Sequence, residues 1–239
     1  MKILEKFRQK QENQFAAQPV LAFLGDSVTQ GCFEIYTKNG RIEPEYYPEE
    51  SYSRKLQKIL ELLYPSVNPI IINAGISGDN AASGLSRVER DILAYKPDLV
   101  VVCYGLNDAC SGQGGLDVYR ESLRGIFKKL NDSGAEVIFM TPNLRINDIC
   151  YECPDKMIEN CALNIAANEN EGWLERYIDA ARGAAAECGV KVCDCYRIWQ
   201  KLRDNGVNTN ALLSNAVNHP TRELHWMFAY ELMRMMLED

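Results

Sequence analysis

Five short runs of β-branched and apolar residues recur along the chain, and between them lie segments with helical spacing; this alternation constrains the fold more than any other feature. The runs cover residues 19–25, 69–73, 98–104, 135–140 and 190–193. Between them Leu56, Ile59, Leu60 and Leu63 share one helical face, as do Leu85, Val88 and Ile92, and then Leu123, Ile126, Phe127 and Leu130. Trp173, Tyr177, Ile178 and Ala181 form a later face, and Leu224, Phe228, Met235 and Met236 another. Gly134 and Gly189 stand where helices end, since glycine tolerates the left-handed backbone after a last turn. Repeated β-α-β units predict a parallel sheet with helices on both faces, because each right-handed crossover needs a helix to return the chain. Ligands of such sheets bind beyond the carboxyl ends of the strands, so the chemistry should lie just after each run.

The 239 residues suffice for one sizeable domain. We read 1–18, with Lys2, Lys6, Arg8 and Lys10 among Leu4, Phe7 and Phe15, as an N-terminal helix or arm, and 19–239 as a single domain. Two long connections interrupt the alternation: about 32–51, rich in glutamate and tyrosine, and about 143–170. Long connections in compact domains are often binding elements. Against 33 acidic residues stand 26 basic ones, a formal charge of −7 that repels phosphate backbones and argues against nucleic acid as a partner. Apolar runs such as 99–104 fall far short of a membrane-spanning helix, so no membrane insertion is expected. The first residues lack the apolar centre of a secretory signal, and the nine cysteines are odd in number and scattered. Both features favour a reducing cytoplasm over a disulfide framework. Cys150 and Cys153, with Cys161 nearby, have a spacing that could seed a zinc site, yet no paired fourth ligand follows. Free thiols packed as small hydrophobes are the stronger reading, and no metal is expected. Cys193 and Cys195 are expected to alternate on a strand and face the same side. The tyrosine-rich connection and Met227, Met233, Met235 and Met236 leave a homo-oligomer open.

Four polar clusters fall at strand ends or in the last loop: Gly25-Asp26-Ser27, then Asn73-Ala74-Gly75-Ile76-Ser77-Gly78-Asp79, then Gly105-Leu106-Asn107-Asp108, and finally Asn218-His219-Pro220. Singly, each has a plainer reading: a serine there caps a helix, and an asparagine closes a turn. In this order and at these places they resemble the SGNH hydrolase superfamily, also called GDSL esterases and lipases, across about residues 20–230. The resemblance implies an α/β fold of the three-layer α/β/α flavodoxin-like type with a five-stranded parallel sheet. It implies Ser27 as nucleophile, His219 as general base, and the Ser27 N–H, the Gly78 N–H and the Asn107 side chain as oxyanion donors. In that pattern Asp26 and Asp108 are structural, holding their loops through backbone hydrogen bonds.

The chemistry is coherent apart from the name. A serine hydroxyl is a feeble nucleophile until a base within hydrogen-bond reach takes its proton, and histidine suits that task near neutrality. Of the two histidines, His219 precedes Pro220, which can occupy the first turn of the last helix; His225 lies further along and is expected to be structural. The family usually places an aspartate three residues before the histidine, and here that position is Ala216, preceded by Ser214 and Asn215. Three readings follow: a Ser–His dyad oriented by a backbone carbonyl, an acid from another loop, or a crippled enzyme. The dyad is favoured, with the carbonyl of Ala216 or Ser214 accepting the Nδ1 proton.

The expected function is a serine-dependent carboxylic ester hydrolase acting on small acyl esters, chiefly acetyl, without a cofactor. Tyr36, Tyr46, Tyr47 and Tyr52 could form a flat wall suited to a sugar, making an acetylated saccharide the expected substrate. The alternatives are an acyl-thioesterase or lysophospholipase of the same family, or a catalytically impaired binding protein, which Ala216 supports. A flavin-binding protein fits worse, because no Ser/Thr-rich phosphate loop follows the first strand.

Overall fold

The computed structural model describes residues 1–149 and 155–238, so Cys150 and Cys153 lie outside the described residues. The chain begins α1 (Lys2–Glu12), β1 (Val20–Gly25), α2 (Ser27–Gln30), β2 (Cys32–Lys38), β3 (Arg41–Tyr46), α3 (Tyr52–Leu63), β4 (Ile70–Gly75) and α4 (Ala81–Asp91). It continues β5 (Leu99–Cys103), α5 (Gly112–Asp132), β6 (Glu136–Met140), α6 (Lys156–Asn170), α7 (Trp173–Glu187), β7 (Lys191–Cys193), α8 (Cys195–Asp204) and α9 (Leu224–Leu237).

The five expected strands form one parallel sheet in the order β4-β1-β5-β6-β7. Residues 21–24 of β1 and 99–103 of β5 have no exposed surface. These central strands therefore read as continuous apolar runs rather than alternating ones, as a sheet covered on both faces requires. The first crossover, from β1 through α3 to β4, steps one way across the sheet; those through α4, α5 and α7 step the other way. Right-handed crossovers in opposite directions put their helices on opposite faces. Accordingly α4, α5 and α7 pack on one another, while α3 packs with α9. The reversal beside β1 opens the crevice in which the loops after β1, β4 and β5 converge.

The N-terminal arm is α1, seated on the body by Ile3 and Phe7, both buried. The Glu136 carboxylate accepts the Lys2 and Ile3 N–H groups at 3.0 and 2.7 Å, satisfying two donors that the first turn leaves open.

The stretch 32–51, expected as a long connection, is mostly an antiparallel ribbon of β2 and β3. Its turn is Asn39-Gly40 with φ of +52° and +70°, the left-handed pair that two-residue hairpins need and that Asn-Gly supplies at low cost. Glutamates and Pro44 in the strands hide the usual apolar alternation from the sequence. The second long connection, 143–170, ends in α6, whose Asp155 cap accepts from the Met157 and Ile158 N–H groups. The seven described cysteines are free thiols. Cys193 and Cys195 do not alternate on one strand, because β7 stops at Cys193 and α8 begins at Cys195; their Sγ atoms lie 3.8 Å apart. Among the described residues no helix is long and apolar enough to cross a membrane.

Candidate active site

Ser27 opens α2 directly after β1, with Asp26 as the cap whose Oδ1 accepts the Val28 N–H at 3.0 Å. The first turn presses against the end of β4 so closely that a Cβ on Gly75 would collide with the Gln30 backbone. That contact is fixed by Asn73, which donates to the Thr29 carbonyl at 2.8 Å and accepts the Gly75 N–H at 3.0 Å. Gln30 Oε1 then accepts the Ser77 N–H at 2.6 Å. Gly78, exposed with φ of +78°, thus lies between a residue pinned by α2 and Asp79, pinned by the interior.

The interior pin is Arg87 on α4, a residue that sequence reasoning missed. Its guanidinium donates to the carbonyls of Gly25 (3.1 Å) and Ala74 (2.7 Å), to Asp79 Oδ2 (2.9 Å from Nε) and to Tyr104 Oη (2.8 Å). Tyr104 in turn donates to Asp79 at 2.8 Å. One buried cation therefore ties the ends of β1 and β4 to the segment that follows β5. A visible sign was an arginine on the face of α4 that also carries Gly84 and Val88, both buried.

Asn107, after β5, donates from Nδ2 to the Asp79 carbonyl at 2.9 Å and retains a second N–H. Asp108 Oδ1 accepts the Ala81 N–H at 2.9 Å. Asp26 and Asp108 thus hold loops, as expected. Burial pushes the Asp26 carboxyl up to about 7 and that of Asp108 up to about 6. Another residue missed from sequence, Arg145, is fully covered and bridges the Leu106 carbonyl at 3.2 Å to Asn168 and Glu169 of α6. It braces the loop that carries Asn107. A recess of about 300 Å³ opens at Asn107, lined also by Asn80, Ala82, Val118 and Tyr119.

The last loop is folded by Asn215, whose Oδ1 gathers the N–H groups of Val217, Asn218 and His219 at 3.0, 2.9 and 2.8 Å. Asn143 donates to the Asn218 carbonyl at 2.8 Å. Ala216, at the position where a carboxylate is usual, has φ of +57°. This loop brings the His219 imidazole across the sheet edge to Ser27, with Nε2 and Oγ 2.9 Å apart. Both residues are nearly covered, Ser27 at 3% and His219 at 5% exposure.

The other ring nitrogen, Nδ1, lies 2.8 Å from the Phe33 carbonyl. A carbonyl can only accept, so Nδ1 carries the proton and Nε2 is left to accept from the serine hydroxyl. The expected acceptor was the carbonyl of Ala216 or Ser214; it comes instead from β2. The loop is closed on itself, with the Ser214 N–H donating to the His219 carbonyl at 2.8 Å, and the imidazole reaches outward to the ribbon. Burial draws His219 down to about 4, opposed by the Phe33 carbonyl and the Glu34 charge.

His225 stands apart from the pair. Its Nδ1 accepts the Tyr52 N–H at 3.0 Å, and its ring packs among Phe33, Tyr52 and Phe228. Burial holds it neutral, with its pKa drawn down to about 3. The four-tyrosine wall is not formed as expected. Tyr36, Tyr46 and Tyr47 are 42–49% exposed on or beside the ribbon, but Tyr52 is fully buried and hydrogen-bonded to Thr29 at 2.8 Å. Among the described residues no cluster of three or more His, Cys, Asp or Glu side chains could hold a metal ion.

The chain is similar to several known proteins. The chain is 29% identical over 136 residues to an acetylxylan esterase of Geobacillus stearothermophilus, covering 51% of this chain and 58% of that protein. It is 31% identical over 127 residues to an arylesterase of Vibrio mimicus, covering 46% and 63% respectively. These matches span about three-fifths of each relative's length. The fold superposes on the lipase/acylhydrolase of Enterococcus faecalis with a TM-score of 0.66 at 19% identity, covering 92% of this chain and 95% of that one. The sequence profile of the GDSL-like lipase/acylhydrolase family matches residues 23–227, and the chain belongs to that family.

Proposed function

We propose that the protein is a carboxylic ester hydrolase that works through a Ser27–His219 dyad. The observation that carries this reading is the 2.9 Å contact between Ser27 Oγ and His219 Nε2, with Nδ1 committed to a carbonyl. Ser27 Oγ attacks the acyl carbon as Nε2 takes its proton, and the carbonyl π bond breaks to an oxyanion. The Ser27 N–H, the Gly78 N–H and the Asn107 amide are the donors for that charge. Collapse expels the alcohol, which receives the proton from Nε2, and leaves an acyl-serine. Water then attacks with His219 again as base, releasing the acid and restoring Ser27.

The substrate is a small acyl ester, acetyl before longer chains, carried on a saccharide. The exposed Tyr36, Tyr46 and Tyr47 and the acetylxylan esterase among the relatives favour this choice. Purified protein should hydrolyse a short aryl acetate and an acetylated xylo-oligosaccharide. Ser27→Ala should lower kcat by at least about 10³-fold, as loss of a nucleophile does in serine hydrolases. Undiminished turnover in Ser27→Ala would move the chemistry to another residue, and a preference for long acyl chains would remove the acetyl assignment.

A further inference from the structure

The Phe33 carbonyl is a neutral partner for the base, yet a carboxylate stands one residue away. Glu34 is held by Arg222 in a two-pronged ion pair of 2.5 and 2.7 Å. Arg222 lies three residues after His219, and its guanidinium lies over the rings of Phe33 and Tyr47, at 4.6 and 4.4 Å from their centroids. Phe33 is itself buried, its ring 4.9 Å from that of His225. Segments 33–34 and 219–222 are thus joined twice in parallel, once by the hydrogen bond of the base and once by the ion pair. As a surface bridge this pair would contribute little to stability. Its two ends, however, lie on the two segments whose spacing sets the tautomer of His219.

We infer that Glu34, gripped by Arg222, is a positioning residue for His219: the pair locks β2 against the loop bearing the base, and the Glu34 carboxylate supplies through space the negative charge that the loop lacks at Ala216. The inference rests on the dyad reading. The Glu34 carboxylate favours the imidazolium form, and Arg222 holds that carboxyl below its usual range, keeping it ionised. The other charged or titratable groups around this corner are Tyr47 after β3 with its partner Glu45, Glu50 with its partner Lys55 on α3, Glu223 beside Arg222, and His225 on α9, the last kept neutral by burial.

The test is the pH profile of kcat and kcat/KM on a short aryl acetate for wild type, Glu34→Gln, Glu34→Asp, Arg222→Gln and Ser27→Ala, with folding checked by circular dichroism. Glu34→Gln should lower kcat about tenfold, the worth of one pKa unit, with KM within about twofold. It should also move the acidic limb to lower pH, and Glu34→Asp should recover most of the loss. Arg222→Gln, which releases Glu34 and lets it protonate, should move the limb the same way by a smaller amount, and Glu34→Gln/Arg222→Gln together should move it no further than Glu34→Gln alone. That non-additivity, with the rescue by Glu34→Asp, separates positioning from a general packing defect. Limbs that stay put, or shifts of the two single variants that simply add, overturn the inference, and if Glu34→Gln does not fold the Arg222→Gln profile decides alone. Activity surviving in Ser27→Ala would defeat the dyad itself; an inactive Ser27→Ala beside an unaltered Glu34→Gln would defeat only the role of Glu34.

Discussion

Around Ser27 the loops grow out of sheet strands and are drawn together by Arg87, whose guanidinium, Asp79 partner and Tyr104 partner are all shielded from water. Around His219 the parts come from outside the sheet: a loop folded on Asn215, and a ribbon joined to it by one carbonyl and one half-exposed ion pair. The nucleophile side is rigid because its ties are buried and shared among three strand ends. The base side is adjustable because each of its ties joins only two segments instead of being shared among several strand ends.

The largest effect expected from breaking this contrast is at Arg87. Arg87→Met strands the buried Asp79 carboxylate, and loss of one partner of such a pair costs about 3–5 kcal/mol. The melting temperature should fall by roughly 10 °C, and the activity that remains should be impaired, because the Gly78 loop is released. A stable, fully active Arg87→Met would remove the claim that the nucleophile side is held from below.

Asn107→Ala should come next, with a loss of about 10²–10³-fold in kcat and little change in KM, as for other lost oxyanion donors. Steady-state kinetics on an aryl acetate read this directly. An equal loss in binding and turnover would instead make Asn107 a mere brace for Asp79.

The base side predicts an unusual pH response. The proposed dyad needs neutral His219, and burial draws its pKa from 6.5 down to about 4. The rate profile should therefore stay flat through mildly acidic pH and lose half its height near pH 4. The same depressed values make stability acid-sensitive. His219 and His225 are favoured neutral in the fold, so their contribution is complete above about pH 6.5, the unfolded value, and is lost as pH falls toward the folded values of about 4 and 3. An acidic limb near pH 6.5 would show that His219 is solvated in the working enzyme.

The smallest effect belongs to Ala216→Gly. Alanine at φ of +57° carries a left-handed strain, while glycine adds chain entropy to the unfolded state. The two nearly offset, so the melting temperature should rise by no more than the equivalent of about 1 kcal/mol, with kcat unchanged. A large loss of activity would mean that the Ala216 side chain shapes the position of the base.

Legibility followed the same division. The five strands and the helices between them were readable because buried parallel strands must be apolar throughout and amphipathic helices must repeat every three to four residues. Ser27, Gly78, Asn107 and His219 could be singled out because the four clusters, in their order and placement, resemble a known family; singly each had a plainer local reading. The ribbon was not readable: exposed on much of its surface, it carries glutamates and a proline, and only Asn39-Gly40 marked its turn. The burial of Tyr52 was missed for a related reason. Its place at the start of α3 is local, but its contacts with Phe23, His225 and Phe228 come from distant segments.

By itself the sequence determined a parallel α/β sheet with four polar clusters at one rim, since hydrophobic periodicity and strand-end chemistry are local properties of the chain. Tertiary structure alone decided which carbonyl holds the histidine, which cation anchors the loops and which carboxylate stands beside the base. Phe33 and His219 are 186 residues apart in the chain, and no local pattern encodes a hydrogen bond between a backbone oxygen and a ring that meet only after the sheet has closed.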